Sequence, residues 1–132
     1  MNDAEFLAEF EACTLAGDRF HHRDHVRLAW IYLERFGPLE ALGRFTESLR
    51  RYATAQGHPE LYHATITWAF LLLIEERRGT AAPGESWGDF AERNPDLLGW
   101  KPSVLERYYH AETLQSPRAR AGFLLPDRIQ AS

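Results

Sequence analysis

The sequence predicts an all-α fold: a compact single-domain helical bundle over residues 1–132, with four main helices and short helices in the C-terminal third. Three observations carry this. Apolar residues recur at helical spacing throughout, no stretch alternates apolar and polar residues between turn signals, and Gly and Pro punctuate the chain where helices would stop and start. With 132 residues, 45% of them hydrophobic and 13% aromatic, the chain is long enough for a packed core.

The first helix is predicted over residues 3–16, with Phe6, Leu7, Phe10 and Leu15 on its apolar side and Gly17 placed to end it. A short loop leads to a second helix over 22–36, where Val26, Ala29, Trp30 and Leu33 keep the i, i+3, i+4, i+7 pattern. Gly37 stops it, and Pro38 opens a third helix over 38–56, closed by Gly57. Pro59 is read as opening the fourth, to Arg78. That helix is apolar nearly all round between Ile66 and Ile74 and is expected to be the central one. A Gly/Ala/Pro linker covers 79–85. Ser86 with Asp89 resembles a capping box for a short helix to Arg93. Pro95 and Pro102 suit helix starts, and a further short helix is expected over 103–109. Ser116-Pro117 signals a last one, ended by Gly122 and Pro126.

Composition excludes several function classes. The net charge is −4 and the arginines are scattered, as in the isolated pairs Arg50-Arg51 and Arg77-Arg78, so nucleic-acid binding is not expected. The one cysteine, Cys13, allows no intrachain disulfide and reads as a small core residue of the first helix. The opening Met-Asn-Asp-Ala-Glu lacks the basic region of a signal peptide, and the apolar run 69–74 is too short for a bilayer. The expectation is a soluble cytoplasmic protein without a membrane partner.

The segment His21-His22-Arg23-Asp24-His25, followed by Tyr62-His63, is the strongest pointer to chemistry. His22 and His25 are i, i+3 and share a helix face; His21 and His25 are i, i+4. His63 is expected in the first turn or two of the fourth helix, facing that pair if the two helices pack side by side. Neutral imidazoles bind zinc well, and three of them leave a coordination position open. The spacing fits three readings: a three-histidine metal site, a buried hydrogen-bonded cluster without metal, or scattered surface histidines. Asp24 is either a first-turn acid favoured by the helix dipole or a partner that orients an imidazole. Thr67 shares the face of His63 and can donate into a site or back-bond to its own helix. Tyr62, Tyr32, Trp68, Trp100, Tyr108 and Tyr109 supply aromatic material for a pocket or a core. His58 reads as an exposed turn residue, and His110 as a helix C-terminal residue.

The segment Phe20-His21-His22-Arg23-Asp24-His25-Val26 resembles the pattern W/F-x-H-x-x-H-L/V of a family of small bacterial proteins of largely unassigned function. Leu28-Ala29-Trp30 and Tyr32-Leu33 continue the likeness. Tyr62-His63-Ala64-Thr65-Ile66-Thr67 resembles that family's Y-H-E-T-I/L-T segment. Leu105-Glu106-Arg107-Tyr108-Tyr109, Ser116 through Phe123 and Pro126-Asp127 also have counterparts, so the resemblance covers nearly the whole chain. It favours His22, His25 and His63 as metal ligands. The chain departs from it at Ala64, where the family pattern has glutamate. A glutamate there would be a fourth ligand or a general base, and alanine can be neither. The acid is structural in the family, or this chain is a natural variant, or the substitution was introduced.

The resulting expectation is a metal-dependent enzyme acting on a small molecule, of hydrolase or lyase type. The metal would be zinc, with iron, nickel or manganese as alternatives and oxidative chemistry if iron. Tyr62, Thr67 and Asp24 would support the site, and Ala64 marks the position of the expected acid. The alternative is a non-catalytic helical module that binds a metal or ligand. The aromatics of the second and fourth helices are buried internally or across a homodimer.

Overall fold

The computed structural model describes residues 1–128. Its regular structure is helical, and no strand occurs among the described residues apart from an isolated bridge between Trp100 and Ser103. The long helices are α1 (Asp3–Glu11), α2 (His22–Phe36), α3 (Pro38–Ala55) and α4 (Ala64–Arg78). The C-terminal third adds α5 (Trp87–Arg93), α6 (Pro95–Leu98), α7 (Ala111–Gln115) and α8 (Pro117–Ala121). Tight 3-10 turns cover Gly17–Arg19, Pro59–Leu61 and Val104–Arg107.

α2 lies at the centre, packed against α1, α3, α4 and α6. Residues Leu28, Ala29, Trp30, Ile31, Tyr32 and Leu33 are all buried, so this stretch is covered on every side. The sequence pointed to α4 as the central helix. That helix buries Phe70, Leu71, Leu73 and Ile74 but leaves Leu72 exposed. The difference arises because α2 has neighbours all round it, whereas Leu72 has none covering it. Burying each large aliphatic of α2 contributes about 1.5–3 kcal/mol. Phe10, Tyr32, Phe45 and Tyr52 join α1, α2 and α3 in one aromatic cluster, with ring centroids 5.2–6.5 Å from Phe10.

Two helix ends differ from expectation in ways that shape the site. α1 stops at Glu11, well before Gly17. Cys13 adopts the left-handed conformation (φ +62°), Thr14 N donates to the Glu9 carbonyl at 2.9 Å, and Cys13 N donates to Phe10 O at 3.0 Å. This is a Schellman cap with cysteine where glycine is usual. The early stop turns Leu15 into the core, and Tyr52 donates its hydroxyl proton to the Leu15 carbonyl at 2.7 Å. Cys13 is therefore a half-buried turn residue rather than a helical one. The fourth helix begins at Ala64 rather than Pro59. Pro59–Leu61 makes a separate turn, and the chain is extended at His63 before α4 starts.

The expected caps elsewhere are present. Ser86 Oγ accepts from Asp89 N at 3.1 Å, and Ser116 Oγ from Ala119 N at 3.1 Å. The helix expected over 103–109 is a 3-10 turn, and His110 begins α7 instead of ending a helix. No helix is long and apolar enough to cross a membrane among the described residues.

Two polar clusters fix the C-terminal third on α4. Arg77 donates from both terminal nitrogens to Asp96, at 3.1 and 2.8 Å, and reaches Asn94 Oδ1 at 2.8 Å; Arg107 approaches Asp96 at 3.0 Å. Thr65 donates to the Gly122 carbonyl at 2.7 Å and accepts from Leu124 N at 3.0 Å. The first cluster places Leu97, and the second places α8.

Candidate functional site

A cavity of about 840 Å³ opens between the start of α2, the second half of α3, the 58–62 turn and the start of α4. Trp100 and Arg120 complete its wall. His22, His25 and His63 all line it, as do His21, Tyr62 and Thr67. The packing of α2 against α4 thus brings the two histidine segments together as the sequence suggested. His58 also lies on the wall, at the exposed edge, where its Nδ1 is 3.2 Å from a Glu60 carboxylate oxygen.

The imidazoles differ in what they offer. His22 opens α2, and its Nε2–H donates to the Leu97 carbonyl at 2.9 Å. That bond assigns the proton to Nε2 and leaves the lone pair on Nδ1. The ring packs against Phe70 and Trp100, at centroid distances of 4.9 and 5.0 Å. Burial lowers its pKa, against the opposing pull of the Leu97 carbonyl. His25, one turn on, sits against Phe45 and Phe20 at 5.4 and 5.9 Å. Its Nε2 is buried without a hydrogen-bond partner. Burial, aided by repulsion from His22, pushes its pKa down to about 4. It is therefore neutral at pH 7.

His63 caps α4 with its own ring. Nδ1 accepts from Ile66 N at 3.1 Å, while Nε2–H donates to the Leu114 carbonyl at 2.6 Å. Both ring nitrogens are used, one as acceptor and one as donor, which fixes a neutral tautomer. Burial lowers its pKa, and the nearby positive Arg120 acts in the same direction.

The supporting residues fall out differently. Asp24 caps α2: its Oδ2 accepts from His21 N at 2.9 Å, the role of a first-turn acid, and this bond is to backbone rather than to an imidazole. Tyr62 is half-buried on the cavity wall, with the Arg50 guanidinium 5.2 Å from its ring centre. Thr67 is buried and lines the cavity one turn above His63. Ala64 is the first residue of α4 and is buried, but it is not on the cavity wall.

A metal ion needs lone pairs converging on one point, about 2.0–2.1 Å from each histidine nitrogen. Among the described residues no three His, Cys, Asp or Glu side chains are grouped to hold one. His22 meets part of the requirement, because a ligating imidazole commonly donates its other N–H to a carbonyl. His63 presents no free lone pair in this arrangement.

The sequence reading did not single out Arg120, Phe70 or the carbonyls of Leu97 and Leu114. Arg120 looks like an ordinary residue of a short helix, and nothing local marks a carbonyl as a partner for a distant imidazole. Compared with family models, curated proteins and solved structures, the chain matches none.

Proposed function

We propose that this protein binds a small organic molecule in the histidine-lined cavity. The observation that supports this is the cavity itself, which gathers His22, His25 and His63 with Phe20, Phe70 and Trp100 on one wall. A largely apolar pocket with a few placed polar groups is the usual form of a ligand site. The cavity's size and its aromatic lining from Phe20, Phe70 and Trp100 suit a planar or aliphatic body. If the bound molecule reacts, His22 is the candidate proton acceptor through its Nδ1 lone pair, in a hydrolase or lyase reaction. Screening soluble aromatic and aliphatic compounds by tryptophan fluorescence tests it. Binders should alter the signal of the native protein and lose that change in Trp100→Phe. A diverse panel with no binder at millimolar concentration would reject the proposal.

A second reading keeps the metal-dependent hydrolase or lyase. It is favoured by the Leu97 carbonyl holding His22 Nε2–H. His22 and His25 would be the ligands present on one helix face, with zinc the first choice and iron, nickel or manganese next. His63 would join them only by giving up its bond to Ile66 N or Leu114 O. Such an ion would lower the pKa of a bound water toward neutrality. Elemental analysis of untagged protein decides: stoichiometric metal lost in His22→Ala and His25→Ala supports this reading, and none in the native protein sinks it.

A further inference from the structure

Arg120 is the one permanently charged side chain on the cavity wall, and no Asp or Glu lines the cavity among the described residues. The imbalance is local, since the whole chain is acidic at −4. Arg120 is anchored at the rim by its Nη1, which donates to the carbonyls of Glu60 and Tyr62 at 2.6 and 3.3 Å. These bonds fix the guanidinium in position without neutralising it. The nearby Glu60 carboxylate is turned to His58, and Arg120 forms no ion pair among the described residues. Arg27, Arg44, Arg77, Arg78, Arg93 and Arg107 sit on carboxylates, and none of them lines the cavity.

An aromatic, histidine-lined cavity with an anchored and unneutralised guanidinium at its mouth suits one ligand chemistry. We infer that the cavity takes an organic carboxylate, its anionic head on Arg120 and its apolar body against the wall that Ile66, Phe70 and Trp100 form. This rests on the small-molecule reading given above and narrows it to a ligand class. A guanidinium presents planar paired donors that match a carboxylate, and such charge-assisted bonds are stronger than neutral ones. Arg120 is the single fixed charge on the wall, so a monoanion is matched better than a dianion.

Calorimetric titration with 2-naphthoate and with 2-naphthamide tests this, because the two share a ring system and differ in charge. The carboxylate should bind the native protein at least about tenfold more tightly than the amide, a difference near 1.4 kcal/mol. Arg120→Gln should abolish that preference, and Arg120→Lys should retain much of it. Equal affinities in the native protein, or a preference that survives Arg120→Gln, would overturn the inference while amide binding still upholds the pocket. If neither probe binds at millimolar concentration, the pocket reading fails and this inference with it. The comparison in the native protein needs no variant, so it stands even if a substitution at Arg120 disturbs folding.

Discussion

The His63 imidazole donates from Nε2 to the Leu114 carbonyl at 2.6 Å, across 51 residues of chain, while its Nδ1 caps the helix that it precedes. One side chain thereby starts α4 and ties it to α7. Its conformation is set by backbone groups on both sides, which is why it lines the cavity without pointing a lone pair into it. This gives His63 a structural role that a metal-ligand pattern does not reveal.

His63→Ala should lower stability by about 1–3 kcal/mol, since it removes a cap and leaves the Leu114 carbonyl unpaired. His63→Asn should recover part of that loss, because a short amide can still cap α4. Urea denaturation measures both. An unchanged midpoint for His63→Ala would show that these two bonds contribute nothing.

Acid should weaken the fold in two separable windows. The pKa of His25 is depressed from 6.5 to about 4, so between these values the unfolded chain binds a proton that the folded chain refuses. Its contribution is fully present above pH 6.5 and is lost as pH falls toward 4, on the order of 2–3 kcal/mol in total. His25→Leu should flatten the profile in that range. It should leave a second loss at lower pH, from Asp96. The Arg77 guanidinium holds the Asp96 carboxyl at about 2 against an ordinary 3.8, so its stabilisation is present above pH 3.8 and disappears as pH falls through 2. Stability curves measured from pH 8 to pH 2 check both windows; a native protein equally stable at pH 7 and pH 4.5 contradicts the first.

Cys13→Gly should stabilise the protein. Cys13 holds φ at +62°, where a side chain is strained and glycine is not. The expected gain is up to about 1 kcal/mol, offset in part by the greater freedom of glycine in the unfolded chain. A rise in the thermal midpoint of a few degrees is the readout, and Cys13→Ala should show no such rise.

The histidine spacing at the start of α2 and the segment at Tyr62 pointed to residues that line one cavity, and a helical period places His22 and His25 on one face whatever surrounds them. The caps at Ser86 and Ser116 and the stop at Gly37 were equally legible, since each rests on contacts within a few residues. Cys13 and the start of α4 were not. A cysteine carries no signal for a left-handed turn, and it adopts one because Leu15 must reach the core beside Tyr52. Pro59 reads as a helix start, yet His63 takes extended backbone and sets the boundary five residues later, with its ring held by a carbonyl on α7.

What the sequence determined by itself is therefore the all-helical class, most helix ends and the histidine pair on α2. All of these depend on periodicity or on bonds that span three or four residues. Only the tertiary structure decided that α2 rather than α4 is enclosed, that Ala64 is buried at the start of α4, and that Arg120 stands at the cavity mouth. Each of those depends on which distant segments pack together, and above all on Thr65 and Arg77 fastening the C-terminal third to α4. The charge and shape of the site follow from that packing, which no local pattern records.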